Sequence, residues 1–175
     1  MTPRRVDAIN WSSWIPKDPA TLLFVVEETR GRVLLIRKKR GLGAGKINAP
    51  GGRIEPGETP LQAAVREVHE EVIVTPTSIR ESGELKFQFT DGYSLHVHVF
   101  RADACEGVPQ ETDEALPMWL PIDALPYDEM WADDRLWIPH MLARRSFYGR
   151  FIFDGDAMLD HVLDVEPAAP VKLAR

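Results

Sequence analysis

Glutamates fall at positions 67, 70 and 71, in the run Arg66-Glu67-Val68-His69-Glu70-Glu71. On a helix these positions are i, i+3 and i+4, and they share a face. Like charges one turn apart repel, so such a face is costly without a counterion. A hard divalent cation relieves that repulsion. Carboxylate oxygens, with no sulfur and no paired histidine, suit Mg²⁺ or Mn²⁺. Such an ion offsets phosphate charge, polarises the phosphorus and activates a water for in-line attack. A bare E-x-x-E-E also describes a solvated acidic helix face with Arg66 and nearby lysines as partners. The preceding loop shifts the balance. Gly51-Gly52 and Gly57 permit the close backbone approach and positive φ that phosphate and metal sites use.

The helix that carries the acids is expected over residues 59–72. Leu61, Val65, Val68 and Val72 recur at 4, 3 and 4 and form an apolar stripe nearly opposite the mean direction of the carboxylates. Thr59 can cap the start and Pro60 fits the first turn. Around the helix, strands are expected at residues 21–26 and 33–36, joined by a turn with Gly31. Residues 85–89 and 93–100 read as strands joined at Asp91-Gly92. Residues 118–120, 151–153 and 158–165 are further strands, and 133–146 a second helix. Interleaved strands and helices make the class mixed α and β.

At this point the sequence resembles a known family. G-x5-E-x7-R-E-U-x-E-E-x-G-U, with U aliphatic, is the Nudix box. Here it reads Gly52, Glu58, Arg66-Glu67, Val68, Glu70-Glu71 and Val74, with every charged position matched. Ile73 stands where the family has glycine, which normally ends the helix in a left-handed conformation. The resemblance implies a Nudix-type α/β/α sandwich with a mixed β-sheet (α+β). It also implies metal-dependent hydrolysis of a nucleoside diphosphate linked to a further group. Glu67, Glu70 and Glu71 would bind the metal, helped by the Gly51 carbonyl, while Glu58 and Arg66 orient the loop and helix.

Residues outside the box bear on the substrate. Arg37 to Lys46 is basic and glycine-rich, a wall for phosphates or base, or an ordinary hairpin end; Lys38 could contact phosphate or simply be solvated. Asp133 and Asp134 are adjacent and would share a proton in a pocket, giving the donor and acceptor that a purine edge needs. Trp131 can stack on a base, and Asn48 offers an amide donor and acceptor. The plainer readings are a helix cap at Asp133, a core tryptophan and a turn asparagine.

These stretches resemble the MutT-homologue branch of the Nudix family over residues 21–166. That likeness implies oxidised purine nucleoside triphosphates such as 8-oxo-dGTP and 2-hydroxy-dATP as substrates. It implies Asn48, Trp131, Asp133 and Asp134 as base-pocket residues, Leu42 and Phe87 as apolar walls, and Thr21 as a further contact. Glu114 matches a late metal-binding or base-supporting glutamate. Ile47, Leu42 and Ala49-Pro50 depart from aromatic or glycine positions of the branch. They keep another nucleotide, such as a dinucleoside polyphosphate or nucleotide sugar, as an alternative. A non-catalytic nucleotide-sensing module is a third reading.

The chain has 175 residues, 27 acidic and 21 basic, for a net charge of −6. That length suggests one domain. An acid surplus argues against a nucleic-acid binder, which needs a basic face, but not against a small anionic ligand met by a metal. The single cysteine, Cys105, excludes an internal disulfide. No apolar run approaches a membrane span or a secretion signal, so a cytoplasmic protein is expected, its oligomeric state (monomer or homodimer) open. Residues 1–20 read as an irregular arm whose Trp11 and Trp14 pack on the body, with a role in covering the pocket or an interface. Residues 167–175 form a Pro/Ala-rich tail expected to fray. His96 and His98 share a face of their strand at the spacing of a metal pair. No third ligand is evident, and an exposed sheet face is the plainer reading.

Overall fold

The computed structural model describes residues 2–167. In chain order the strands are β1 (Asp18–Glu27), β2 (Arg32–Lys38), β3 (Ile47–Asn48) and β4 (Gly51–Arg53), then helix α1 (Pro60–Val72). There follow β5 (Thr75–Phe89), β6 (Ser94–Glu106) and β7 (Ala115–Pro121), helix α2 (Asp134–Leu142), and β8 (Phe147–Asp154) and β9 (Ala157–Val165). The main sheet order is β3-β2-β1-β6-β5-β8-β9, with β4 beside β1 and β7 beside β2. β1 pairs parallel with β6, and β5 with β8, so the sheet is mixed.

The feature that creates the site is a split between β1 and β2. They pair only where they meet, at Val25–Glu27 and Val33-Leu34 with Arg32. Farther along they part. β4 takes the vacated edge of β1 at Ala20–Leu22, and β3 takes that of β2 at Ile36–Arg37. The segment from Asn48 to Gly52 therefore runs through the gap.

Two apolar layers cover the sheet. On one face α1 buries Ala64, Val68 and Val72 against Leu23, Val25, Leu34, Ile36 and Phe100. On the other, α2 buries Trp137, Ile138 and Met141 against Phe24, Leu85 and Phe147. This is the α/β/α sandwich expected from the resemblance.

The α1 stripe differs from the expected one. Leu61 is exposed, and the contact row is Ala64, Val68, Glu71 and Val72. Small alanines let the helix lie close to the sheet, and the row they belong to carries Glu71 inward. Thr59 caps α1 through a reciprocal pair with Gln62: Thr59 Oγ1 accepts the Gln62 N–H at 3.2 Å and Gln62 Oε1 the Thr59 N–H at 2.9 Å. Ile73 ends the helix in the left-handed region, at φ 63°, as a glycine would.

α2 is shorter than expected. Pro139 removes a backbone donor, and Arg144 turns left-handed at φ 60°. β5 is much longer than the expected 85–89, because its first half lacks clean alternation: Ser78 has φ 55° and pairing with β6 slips between Glu81 and Gly83. The arm packs on the body. The Val6 N–H donates to Asp160 at 2.8 Å and the Trp14 indole to Gln88 at 2.9 Å. Its last residues, from Asp18, are already β1. From residue 168 the expected tail lies outside the described residues. No helix of the described residues is long and apolar enough to cross a membrane.

Candidate active site

Helix α1 and the segment before β7 bring carboxylates together beside β4. Oxygens of Glu67, Glu71 and Glu114 all lie within 4.8 Å of one another. Glu71 is buried, and its Oε2 accepts the Gly51 backbone N–H at 3.4 Å. Burial first, and then the charge of Glu67, push its pKa up to about 8, with Gly51 and Lys38 pulling the other way. Burial likewise raises Glu67, against the pull of Arg66.

Glu70 lies outside this cluster. Successive helical residues turn by about 100°, so Glu71 faces the sheet while its neighbour faces solvent. There Glu70 accepts from Arg66 Nη1 at 3.3 Å. The shared face read from the spacing is thus divided among a buried acid, a half-buried one and an exposed one. Glu114, supplied by a distant segment, completes the group and also holds Arg40 at 2.7 Å.

Arg66 joins loop to helix. It meets Glu58 through two nitrogens, at 2.5 and 2.9 Å, Glu67 at 2.9 Å, and the Arg53 carbonyl at 3.1 Å. Hydrogen bonding to Arg66, and then the Glu55 N–H, pulls Glu58 down to about 2. Gly51 and Gly52 serve close approach: a Cβ on Gly51 would meet the Thr21 carbonyl oxygen at 2.0 Å. The positive φ belongs to Gly57, at 87°.

The group fits a hard divalent cation. Its donors are all oxygen, and its partly or fully desolvated carboxylates repel one another without a counter-charge.

Beside this group a cavity of about 310 Å³ opens on the α2 face. That is the size of the smaller ligand pockets, about 300–1,000 Å³. Gly51, Gly52 and Lys38 line it where it borders the acids. Asn48 and Thr21 stand nearby in the wall, with the Asn48 Oδ1 accepting the Ala49 N–H at 2.8 Å. Leu42 and Phe87 are apolar walls. Trp131, Asp133 and Asp134 complete it.

Sequence reading missed the aromatic partners Phe89, Tyr93 and Phe153, which also line the cavity. Phe89 alternates with Phe87 on β5, a signal for one shared face, and Phe153 pairs with it across β8. Trp131 meets Phe89 and Phe153 edge-on at 6.2 and 5.6 Å. The basic loop closes over it: Lys46 Nζ lies 5.1 Å from its ring centre, and a Cβ on Gly43 would lie 2.8 Å from its Nε1. Among described residues, none of the arm before Asp18 lines the cavity.

Asp133 and Asp134 are both buried. Asp133 occupies the residue before α2 but does not cap it. Its Oδ2 accepts the Trp137 indole N–H at 2.8 Å, and Asp134 Oδ2 accepts the Trp131 N–H at 3.2 Å. Asp133 Oδ1 is buried with no partner among the described residues. Burial raises both pKa values, and the charge of Asp133 raises Asp134 further. The pair can therefore hold a proton above the ordinary carboxylate range and present donor and acceptor together.

Comparison with known proteins shows the family. Residues 16–141 match the NUDIX domain family. The chain is 49% identical over 146 residues to a zebrafish (Danio rerio) protein described as oxidized purine nucleoside triphosphate hydrolase, covering 82% of this chain and 92% of that one. A mouse (Mus musculus) protein of the same description is 39% identical over 145 residues, with the same coverage. A crystal structure of a MutT protein from Bacillus halodurans superposes with TM-score 0.75 at 29% identity, covering 84% of this chain and 97% of that one.

Proposed function

This chain belongs to the Nudix family, and from that premise we propose that it hydrolyses modified purine nucleoside triphosphates to monophosphate and pyrophosphate. 8-oxo-dGTP and 2-hydroxy-dATP are the substrates in view. The observation that carries the reading is the buried Asp133–Asp134 pair, one oxygen unpartnered, in a cavity that borders the acidic group.

Glu67, Glu71 and Glu114 are the proposed holders of Mg²⁺ or Mn²⁺, with Glu70 and the Gly51 carbonyl as further ligands. The bound ion supplies charge to offset the phosphates and to activate water. Glu58 and Arg66 keep the loop against the helix, so that the acids stay aligned with the cavity mouth. Lys38 meets phosphate. Asn48 and the aspartate pair read the base edge, Trp131 stacks on it, and Thr21, Leu42 and Phe87 shape the walls. The base is thus held on one side while the phosphates reach the acids past Gly51 and Gly52. In this reading the partner is a free nucleotide in the cytoplasm, not a nucleic acid or a membrane.

Measuring nucleoside monophosphate release from 8-oxo-dGTP, 2-hydroxy-dATP, unmodified dNTPs, a dinucleoside polyphosphate and a nucleotide sugar, all with Mg²⁺, tests the proposal. A modified purine is expected to be preferred, and Glu71→Gln to lower turnover by at least about a hundredfold. Equal rates on all triphosphates would end the sanitising reading. Binding without turnover would favour a sensor.

A further inference from the structure

Apart from the cavity and its acids, another set of titratable side chains converges on the β5–β6 hairpin. His96 and His98 alternate along β6 and share a face. Cross-strand pairing sets Glu84 opposite His98 and Lys86 opposite His96. Glu81 lies three residues before Glu84, and on a regular strand such residues point to opposite faces. The bulge cancels that parity. Pairing passes from Glu81–Phe100 to Gly83–Val99, leaving Ser82 as an extra residue. Glu81 and Glu84 therefore both stand on the histidine face, next to Phe100 and the layer beneath α1.

The side chains meet there. His96 Nε2 lies 2.9 Å from Glu84 Oε2, and His98 Nδ1 lies 3.2 Å from Glu81 Oε1 and 4.0 Å from Glu84 Oε1. The two imidazole centres are 4.7 Å apart. One oxygen each from Glu81 and Glu84 and one nitrogen of His98 all lie within 4.8 Å of one another.

We infer that this cluster is a site for a borderline transition-metal ion, Zn²⁺ above all, with Glu81, Glu84 and His98 as ligands and His96 as the fourth. Bonds of about 2.0–2.2 Å in a tetrahedron put neighbouring donors about 3.3–3.6 Å apart. The three nitrogen–oxygen separations, 2.9, 3.2 and 4.0 Å, straddle that range. Imidazole nitrogen separates it chemically from the all-oxygen acidic group, favouring Zn²⁺, Ni²⁺ or Cu²⁺ over Mg²⁺. Two carboxylates offset the divalent charge, and each imidazole offers a ring nitrogen as ligand. The bound ion would pin the bulge to the opposite strand. The site stands apart from the proposed hydrolysis, and its test does not use turnover.

The experiment is equilibrium dialysis of the full chain against micromolar Zn²⁺ with millimolar Mg²⁺ present, metal content being measured directly. Wild type is compared with His96→Gln/His98→Gln, Glu81→Gln/Glu84→Gln and Glu71→Gln. Wild type is expected to retain one Zn²⁺ that Mg²⁺ does not displace. Each double variant should weaken that binding at least about tenfold, and Glu71→Gln should leave it unchanged. Either double variant suffices if the other fails to fold. Absence of Zn²⁺ uptake by wild type, or unchanged affinity in a folded double variant, overturns the inference. So does loss of the Zn²⁺ in Glu71→Gln, which would put the ion in the acidic group.

Discussion

Glu67 fills the space that a side chain on residue 52 would need: a Cβ on Gly52 would lie 2.5 Å from the Glu67 carboxyl carbon. Gly52 is not at positive φ, so its requirement comes from packing and not from backbone torsion. Gly52→Ala is expected to push Glu67 out of line with Glu71 and Glu114. The cation concentration for half-maximal activity should rise about tenfold while circular dichroism stays native. An unchanged metal dependence would show that Glu67 is not held there for the cation.

Asp133→Asn removes a group that can change protonation state and replaces it with a fixed amide. Discrimination between 8-oxo-dGTP and dGTP, read as the ratio of kcat/KM values, should fall about tenfold or more, since one mispaired polar contact in a buried site costs about 1–3 kcal/mol. A retained ratio would remove Asp133 from base recognition.

The aspartate pair also makes stability depend on pH. Its folded pKa values lie above the ordinary 3.8 because burial disfavours charge. Over the window between them the folded state holds protons that the unfolded chain releases. The pair's contribution is therefore fully present below about pH 4 and is lost as pH rises through the raised values. Each proton so held gives a slope of about 1.4 kcal/mol per pH unit. Melting curves across this range should fall more steeply with pH for wild type than for Asp133→Asn/Asp134→Asn. Parallel curves would refute the assignment.

Ile73 is a β-branched residue at φ 63°, and it is 39% exposed. Left-handed backbone costs a residue with a Cβ about 1–2 kcal/mol. Little buried area is at stake, so Ile73→Gly should stabilise the fold by up to about 1 kcal/mol, raising Tm by about 2–4 °C. A drop in Tm would mean that its side chain contributes more than its torsion costs.

Much of this site was legible because its residues lie close in sequence and carry chemistry by type. The box acids, Arg66 with Glu58, and the Asp133-Asp134 pair are such cases. The placement of Glu70 was not, since a shared helical face does not say which side of it meets a neighbour. Glu71 was read as facing away from the body because valine and leucine marked the stripe, whereas the alanines set it. The first half of β5 was hidden by the bulge that breaks its alternation. β3 and β4 are too short for any period, and their position is set by the strands that part around them. The histidines were visible as a pair, but their carboxylate partners stand on another strand, brought to the same side by one inserted residue.

The parting of β1 and β2 has a consequence for how such a molecule can diversify. The cavity lies on the α2 face and the acids beneath α1, with the Asn48–Gly52 passage between them. On the proposed assignment, substitutions at Leu42, Phe87 or Trp131 would remodel which base is admitted while leaving the acidic group untouched. Selection can then act on appetite and on reactivity as two nearly separate traits, coupled through the few residues that run through the gap.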